Sequence, residues 1–158
     1  MQNFQEFLEN SLQQNIKKLI PLTGGASADI NRIILENNNE LIVRRSLSKE
    51  QSVMAVPKKL EAKIQRIVRS NDAPVPEIIF EFSEDEDIGE GYVMEAIPGE
   101  TIPRKILRDD KYKNVRSKLS FEIGRSLATI HQTKLDELTD LDSVTFEESL
   151  KKLYLVYS

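Results

Sequence analysis

The chain has 158 residues, of which 39% are hydrophobic, and a formal net charge of -4. This length and apolar content allow one compact domain, or one domain and part of another. The negative charge excludes a broad basic field of the kind that binds nucleic acid or anionic lipid. The chain has no cysteine, which excludes disulfides and thiolate chemistry. Because neither a signal peptide nor a long apolar run is present, we expect a cytoplasmic protein with no membrane partner.

The first 45 residues predict a short helix and three antiparallel strands. Apolar residues between Phe4 and Leu12 recur at helical spacing. Strands are predicted at 16–22, 30–36 and 41–45. Paired glycines between the first two strands permit a tight turn, and the asparagines at 37–39 tolerate the positive φ of a hairpin turn.

The next segment predicts a second helix and two further strands. Ser48 and Gln51 have capping-box spacing, and Pro57 suits the first turn of a helix with apolar residues at 60, 64, 67 and 68. We therefore expect a helix in two pieces, ended by Pro74 and Pro76. Strands follow at 77–82 and 91–97, joined by an acidic turn that we interpret as solvated rather than metal-binding.

The last third predicts helices. An apolar face recurs through 110–132, and Thr145 and Glu148 have the spacing of a capping box that opens a final helix. That pattern continues to Ser158 without a stop signal. We expect an α+β fold in which a five-stranded antiparallel sheet and a crossing helix fall within 1–97, and further helices within 98–158.

Several residues of this layout suit a nucleotide. Strand alternation puts Ile42 and Arg44 on one face, an apolar side chain for a base beside a cation for phosphates. Glu61, on the helix that packs against the sheet, could hold Arg44 in an ion pair. Each feature has an ordinary alternative: the glycine turn could be a simple hairpin, Arg44 an exposed strand residue, and Glu61 a surface glutamate.

The order and spacing of these motifs resemble the aminoglycoside phosphotransferase and choline kinase-like family, which has a protein-kinase-like fold. The likeness covers about residues 19–138 and is nearest to the branch related to the kinase-like domain of acyl-CoA dehydrogenase fusions. The motifs that carry it are Leu22-Thr23-Gly24-Gly25-Ala26-Ser27, Leu41-Ile42-Val43-Arg44-Arg45, Glu61, Pro74-Val75-Pro76, Gly91-Tyr92-Val93-Met94-Glu95, Pro98-Gly99-Glu100 and Leu127-Ala128-Thr129-Ile130-His131.

The resemblance implies that 1–97 is an N-terminal nucleotide-binding lobe with a leading helix, and that 98–158 contains the hinge and the first helices of an incomplete C-terminal lobe. It also implies a set of ATP-binding residues. The backbone of Gly24, Gly25, Ala26 and Ser27 would cover the phosphates. Arg44 would stand where most relatives have a phosphate-binding lysine, with Glu61 as its partner. Met94 would lie at the back of the adenine pocket, and Glu95 and Ile97 would form the hinge. His131 resembles a family histidine with a packing and hydrogen-bonding role, and Ala28 replaces an asparagine that is frequent in close relatives.

The resemblance also implies residues that this sequence does not contain. The family has a His-Gly-Asp segment with a following asparagine and a later aspartate, which orient the acceptor and hold Mg²⁺. Neither segment is present. We therefore expect a truncated, inactive ATP-binding part of a small-molecule kinase, with Mg²⁺ bound only when the second lobe is present and with self-association through exposed C-terminal helices. The alternatives are a stand-alone nucleotide- or protein-binding regulatory module and an α+β binding domain that takes no nucleotide.

Overall fold

The computed structural model describes residues 3–22, 29–47, 56–83 and 87–134, together with individual residues between 145 and 154. In chain order, the elements of these ranges are α1 (Phe4–Leu12), β1 (Ile16–Pro21), β2 (Asp29–Leu35), β3 (Glu40–Ser46), α2 (Lys58–Ser70), β4 (Ile78–Ser83), β5 (Glu90–Glu95), α3 (Pro103–Arg108), a 3₁₀ turn (Asp110–Tyr112) and α4 (Lys113–His131).

The five strands form one antiparallel sheet in the order β1-β2-β3-β5-β4. This confirms the predicted α+β architecture, and each strand boundary lies within two residues of its prediction. The asparagine turn is also confirmed, since Asn38 has a φ of 62° and its N–H donates to the Leu35 carbonyl. Asparagine adopts this left-handed conformation more readily than most residues.

One face of the sheet is covered by α1 and contains the main apolar core. Leu8 of α1 and the strand residues Ile33, Val43 and Val93 are fully buried there. The alternation of strand side chains explains this, because Val43 and Val93 are cross-strand partners and must share a face. The same alternation sends Ile42 and Arg44 to the opposite face.

Helix α2 covers only part of that opposite face. It packs on β4 and β5, where Ala62, Ile78 and Tyr92 are buried together. Side chains of the first three strands on this face stay partly open to solvent, including Ile20, Arg32 and Ile42. The sheet therefore has one closed face and one face that is half closed.

The bounds of α2 differ from those predicted. Pro57 is the N-cap, one position before the helix, and the backbone N–H of Lys58 donates to the carboxylate of Glu90 on β5. The helix ends at Ser70, before the prolines at 74 and 76, because Asp72 turns into the left-handed region with a φ of 62°. The predicted helical piece at 48–55 and the acidic residues 84–86 lie outside the described residues.

Helix α4 confirms the long helix predicted at 110–132, although its first residues form the 3₁₀ turn and α3 was not predicted. The half-buried side of α4 is largely polar and includes Glu122, Ser126 and Thr129. Its apolar residues Ile123 and Leu127 are exposed instead. The capping box is confirmed, since the Thr145 N–H donates to the Glu148 carboxylate over 2.7 Å and the Glu148 N–H to the Thr145 hydroxyl over 3.3 Å. The proposed boundary between 97 and 98 stays a prediction.

Candidate functional site

An ion pair links the third strand to helix α2. Arg44 Nε donates to Glu61 Oε2 over 3.0 Å, and both side chains are about three-quarters buried. Strand alternation brings Arg44 to this face, and Glu61 lies in the first turn of α2 on the side that contacts the sheet. The predicted pairing of these two residues is therefore present in the structure.

The Glu61 carboxylate has two further partners that sequence reasoning missed. Lys58 Nζ donates to Oε1 over 2.8 Å, and the Tyr92 hydroxyl donates to Oε2 over 3.3 Å. Lys58 and Tyr92 are buried, with 5% and 4% of their surface exposed. The spacing of three residues between Lys58 and Glu61 on one helix was the signal that could have revealed the first contact.

These contacts determine the charge of the cluster. Burial raises the pKa of Glu61, but the hydrogen bonds and charges of Lys58 and Arg44 outweigh it, so that the pKa lies below its ordinary value of 4.5. Burial and the Glu61 charge raise the pKa of Tyr92 to about 12. Near neutral pH, Glu61 is therefore an anion and Tyr92 a neutral hydrogen-bond donor.

Strand register places the predicted base-binding residues beside this cluster. Ile42 lies opposite Met94 on β5 and Arg32 on β2, while Arg44 lies opposite Tyr92 and Ile30. Directly opposed residues share a face, so an apolar pair and a cation stand side by side on the half-open face. Met94 also contacts α2, with its sulfur 3.8 Å from Gln65 Nε2. Its predicted place at the back of an adenine pocket stays a prediction.

Arg32 is a second cation on this face and was not predicted. Its guanidinium pairs with Glu40 of the neighbouring strand. Arg32 is opposite Ile42 rather than Arg44, so it lies nearer the end of the face where Met94 is found. Because Arg32 lies beside the proposed base-binding residue Ile42 rather than beside Arg44, we assign it no phosphate-binding role.

A cavity of about 430 Å³ opens beside the ion pair. It is lined by Arg44, Glu61 and Tyr92 together with apolar residues that include Ile64, Val68 and Ile130. Among the residues that the structure describes, no group accepts a hydrogen bond from the two terminal nitrogens of Arg44. The arginine therefore has donors available to an anion on this side of the sheet.

The predicted hinge follows β5. The Glu95 N–H donates to the Glu77 carbonyl over 2.9 Å, and the Glu95 carboxylate accepts from the Glu77 N–H over 3.3 Å. Within the described ranges, the N–H groups of Ala96 and Ile97 have no acceptor. The donors available to an adenine edge are thus those of Ala96 and Ile97, whereas the N–H of Glu95 is occupied. Ile97 itself is exposed.

The remaining candidates are the glycine-turn residues and His131. Gly24, Gly25, Ala26, Ser27 and the neighbouring Ala28 lie outside the described residues. His131 is the last residue of α4 and is exposed, so the packing role expected for it is not seen.

The described residues contain neither a cluster of metal ligands nor a membrane-spanning helix. No group of three or more His, Asp or Glu side chains in these ranges is arranged to hold a metal ion. None of the helices described is long and apolar enough to cross a membrane.

The sheet order, the crossing helix and the cation–glutamate pair define a protein-kinase-like N-terminal lobe. The sequence matches the model of the APH family, the phosphotransferase enzyme family, over residues 18–151. The chain belongs to that family, which confirms the aminoglycoside phosphotransferase resemblance. The nearer likeness to the acyl-CoA dehydrogenase fusion branch stays a prediction. A search of curated proteins finds no match to the chain.

Proposed function

We propose that the half-open face of the sheet binds ATP, and that this chain is the ATP-binding part of a small-molecule kinase. The parent enzyme would transfer the γ-phosphate of ATP to a hydroxyl group of an aminoglycoside-like or other small metabolite. Membership of the phosphotransferase family supports the reaction class. The single observation that carries the assignment of the face is the Arg44–Glu61 ion pair beside the partly exposed side chain of Ile42.

Each candidate residue has a physical role in this proposal. Ile42 and Met94 form an apolar surface on which a purine can stack, and the N–H groups of Ala96 and Ile97 can donate to its edge. Arg44 directs its free nitrogens to the phosphates while Glu61 fixes its orientation. The backbone of Gly24 to Ser27 would add N–H groups to the phosphate site, since glycine permits close approach.

In this proposal the ligands of Mg²⁺ lie outside the ATP-binding face of the sheet. Phosphoryl transfer in this fold uses Mg²⁺ to neutralise charge on the phosphates. The described residues contain no group of carboxylates suited to hold it. We propose that Mg²⁺ binds only together with a second lobe that carries the His-Gly-Asp segment.

Calorimetric titration with ATP tests the binding face. We expect Ile42→Asp to abolish binding, because a carboxylate would replace the apolar surface on which the base stacks. Ile79→Asp is the matched control, since Ile79 is an exposed isoleucine on β4. Equal ATP affinity in the wild type and Ile42→Asp would exclude this face as the nucleotide site.

A separate assay tests catalysis by these 158 residues. Incubation with γ-labelled ATP and a panel of aminoglycosides and amino alcohols should give no labelled product above background, because the residues that orient the acceptor are missing from the sequence. Transfer well above background would contradict the proposed inactivity while leaving the ATP site intact.

The exposed apolar side of α4 favours a second candidate, a regulatory module that binds nucleotide or protein. Ile123 and Leu127 are exposed there, as a protein-binding helix would have them. A downstream reading frame that encodes His-Gly-Asp would favour a kinase, and a stop codon followed by unrelated genes would favour a module. The DNA after the codon for Ser158 distinguishes the two.

A further inference from the structure

Lys58 is a buried cation that the roles above do not use. Its ammonium group binds Glu61 Oε1 over 2.8 Å, and the side chain is 6% exposed. A buried ammonium group is costly unless it is paired. Among the ion pairs of the described residues, Glu61 is the partner of both Lys58 and Arg44. The structure thus holds two cations on the two oxygens of one carboxylate.

The position of Lys58 along the helix matters. It lies one turn before Glu61, and its backbone N–H reaches Glu90, which is opposite Ser46 at the end of β3. Leu22 and Asp29, which flank the connection between β1 and β2, lie at this same end of the sheet, since Asp29 is opposite Arg45. Lys58 is therefore at the end of the sheet where the segment containing Gly24 to Ser27 begins and ends.

The chemistry of the two cations is complementary. Arg44 has a planar guanidinium with its Nε already bound to Glu61, whereas an ammonium group is a compact donor with three N–H bonds, of which Glu61 accepts one. A phosphate chain offers several oxygens with different directions. The Arg44 guanidinium on the strand and the Lys58 ammonium on the helix can therefore bind different oxygens of one phosphate chain.

We propose that Lys58 is a second phosphate-binding residue, which supplies the ammonium contact beside Arg44. This inference rests on the proposed ATP site. In this proposal Lys58 on α2 supplies the ammonium group that a lysine at position 44 of β3 would otherwise supply. Lys58 then has two roles, since it also holds Oε1 of Glu61 while Oε2 faces Arg44.

An acyl-phosphate derivative of ATP tests the placement directly in the wild-type chain. Such a probe transfers its acyl group to a lysine amine next to the phosphates and releases ATP, and peptide mass spectrometry locates the amide. We expect acylation of Lys58 that excess ATP suppresses. The adjacent Lys59 is exposed and is the internal control; its acylation should not respond to ATP. Absence of ATP-sensitive acylation at Lys58 would overturn the proposal.

Titration with ATP and with adenosine separates phosphate binding from support of the fold. Lys58→Met removes one charge-assisted hydrogen bond and should weaken ATP binding roughly tenfold while leaving adenosine binding unchanged. Lys59→Met should change neither. If Lys58→Met weakens ATP and adenosine equally, or lowers only the melting temperature, Lys58 merely supports Glu61 and the proposal is wrong.

The two proposals fail in different ways. A wild-type chain that binds neither ATP nor adenosine overturns the nucleotide site and the role of Lys58 together. A wild-type chain that binds ATP without ATP-sensitive acylation of Lys58 overturns only the second. The acylation experiment needs no variant, so its result holds even if Lys58→Met does not fold.

Discussion

Arg44 on β3 and Glu61 on α2 are separated by 17 residues in sequence and joined by a 3.0 Å hydrogen bond between Nε and Oε2. Helix α2 packs on β4 and β5, and β3 is the next strand of the sheet. The contact between Glu61 and Arg44 therefore ties α2 to the strand beside the ones that it covers. The Arg44 side chain is 27% exposed, so part of the guanidinium stays accessible to a ligand. The geometry therefore joins a structural role, the docking of α2, to a proposed role in binding phosphate.

Removal of the guanidinium should separate phosphate binding from base binding. We expect Arg44→Met to weaken ATP binding at least tenfold, with adenosine affinity nearly unchanged, since a lost charge-assisted hydrogen bond is worth about 1.5 to 3 kcal/mol. Arg44→Lys keeps the charge and should recover part of the affinity. Calorimetry at fixed ionic strength measures both. Arg66→Met, at an exposed position of α2, is the control, and a similar loss of ATP affinity there would point to a general charge effect.

The Glu61 carboxylate should make stability depend on pH in a defined window. Its folded-state pKa is lowered, mainly because the contacts of Lys58 and Arg44 outweigh burial. A lowered folded-state pKa gives stability that is present above the unfolded-state value and lost as the pH falls through the folded-state value. We expect Glu61→Gln to lower the free energy of unfolding by about 2 kcal/mol at pH 7, a difference that shrinks below pH 4.5.

Urea denaturation from pH 7 to pH 3 measures this difference. Glu81→Gln is a suitable control, since Glu81 pairs with Arg66, whose side chain is 43% exposed. We expect the control to change the unfolding free energy by less than about 0.5 kcal/mol at every pH. A constant difference between the wild type and Glu61→Gln would show that the charge of Glu61 has no part in stability.

Gly91 on β5 should not tolerate a side chain. A Cβ at this position would lie 2.5 Å from the Arg44 carbonyl oxygen and 2.6 Å from the Phe82 ring. We expect Gly91→Ala to destabilise the fold by about 1 to 3 kcal/mol, because this approach displaces backbone on the central strand. Gly124→Ala in α4 is the opposite case, since nothing lies within 4 Å, and it should stabilise by up to about 1 kcal/mol. Thermal denaturation followed by circular dichroism compares the two.

The sheet could be predicted from sequence because its signals are local. Alternation in β2 and β3 and the asparagines at 37–39 are enough to indicate a hairpin, and the structure has it. The end of α2 was less predictable. Asp72 stops the helix through its left-handed conformation, and aspartate indicates this far more weakly than the prolines that follow.

The candidate site shows the same division. Alternation alone put Ile42 and Arg44 on one face, and a single helix facing the sheet made Glu61 a natural partner. Lys58 was missed because an exposed lysine is the ordinary expectation for a helix start. Its burial depends on where α2 sits on β5, which includes the contact between its backbone and Glu90. The packing of α2 on β5 is a tertiary contact, and the sequence pattern of the helix alone does not predict it.

Substitution on α4 tests whether its exposed apolar face binds a second copy of the chain. Ile123 and Leu127 are 58% and 49% exposed, whereas the half-buried side of the helix is largely polar. Burying such side chains contributes about 1.5 to 3 kcal/mol each, so we expect the double change to Gln to weaken self-association at least tenfold. Sedimentation velocity over a concentration series measures this. Changing the exposed Lys118 and Ser120 to Gln is the control on the same helix. If the Ile123 and Leu127 double variant associates as strongly as the wild type and the control, this face of α4 is not the contact between copies. A face that drives association would lose affinity when its apolar side chains are replaced.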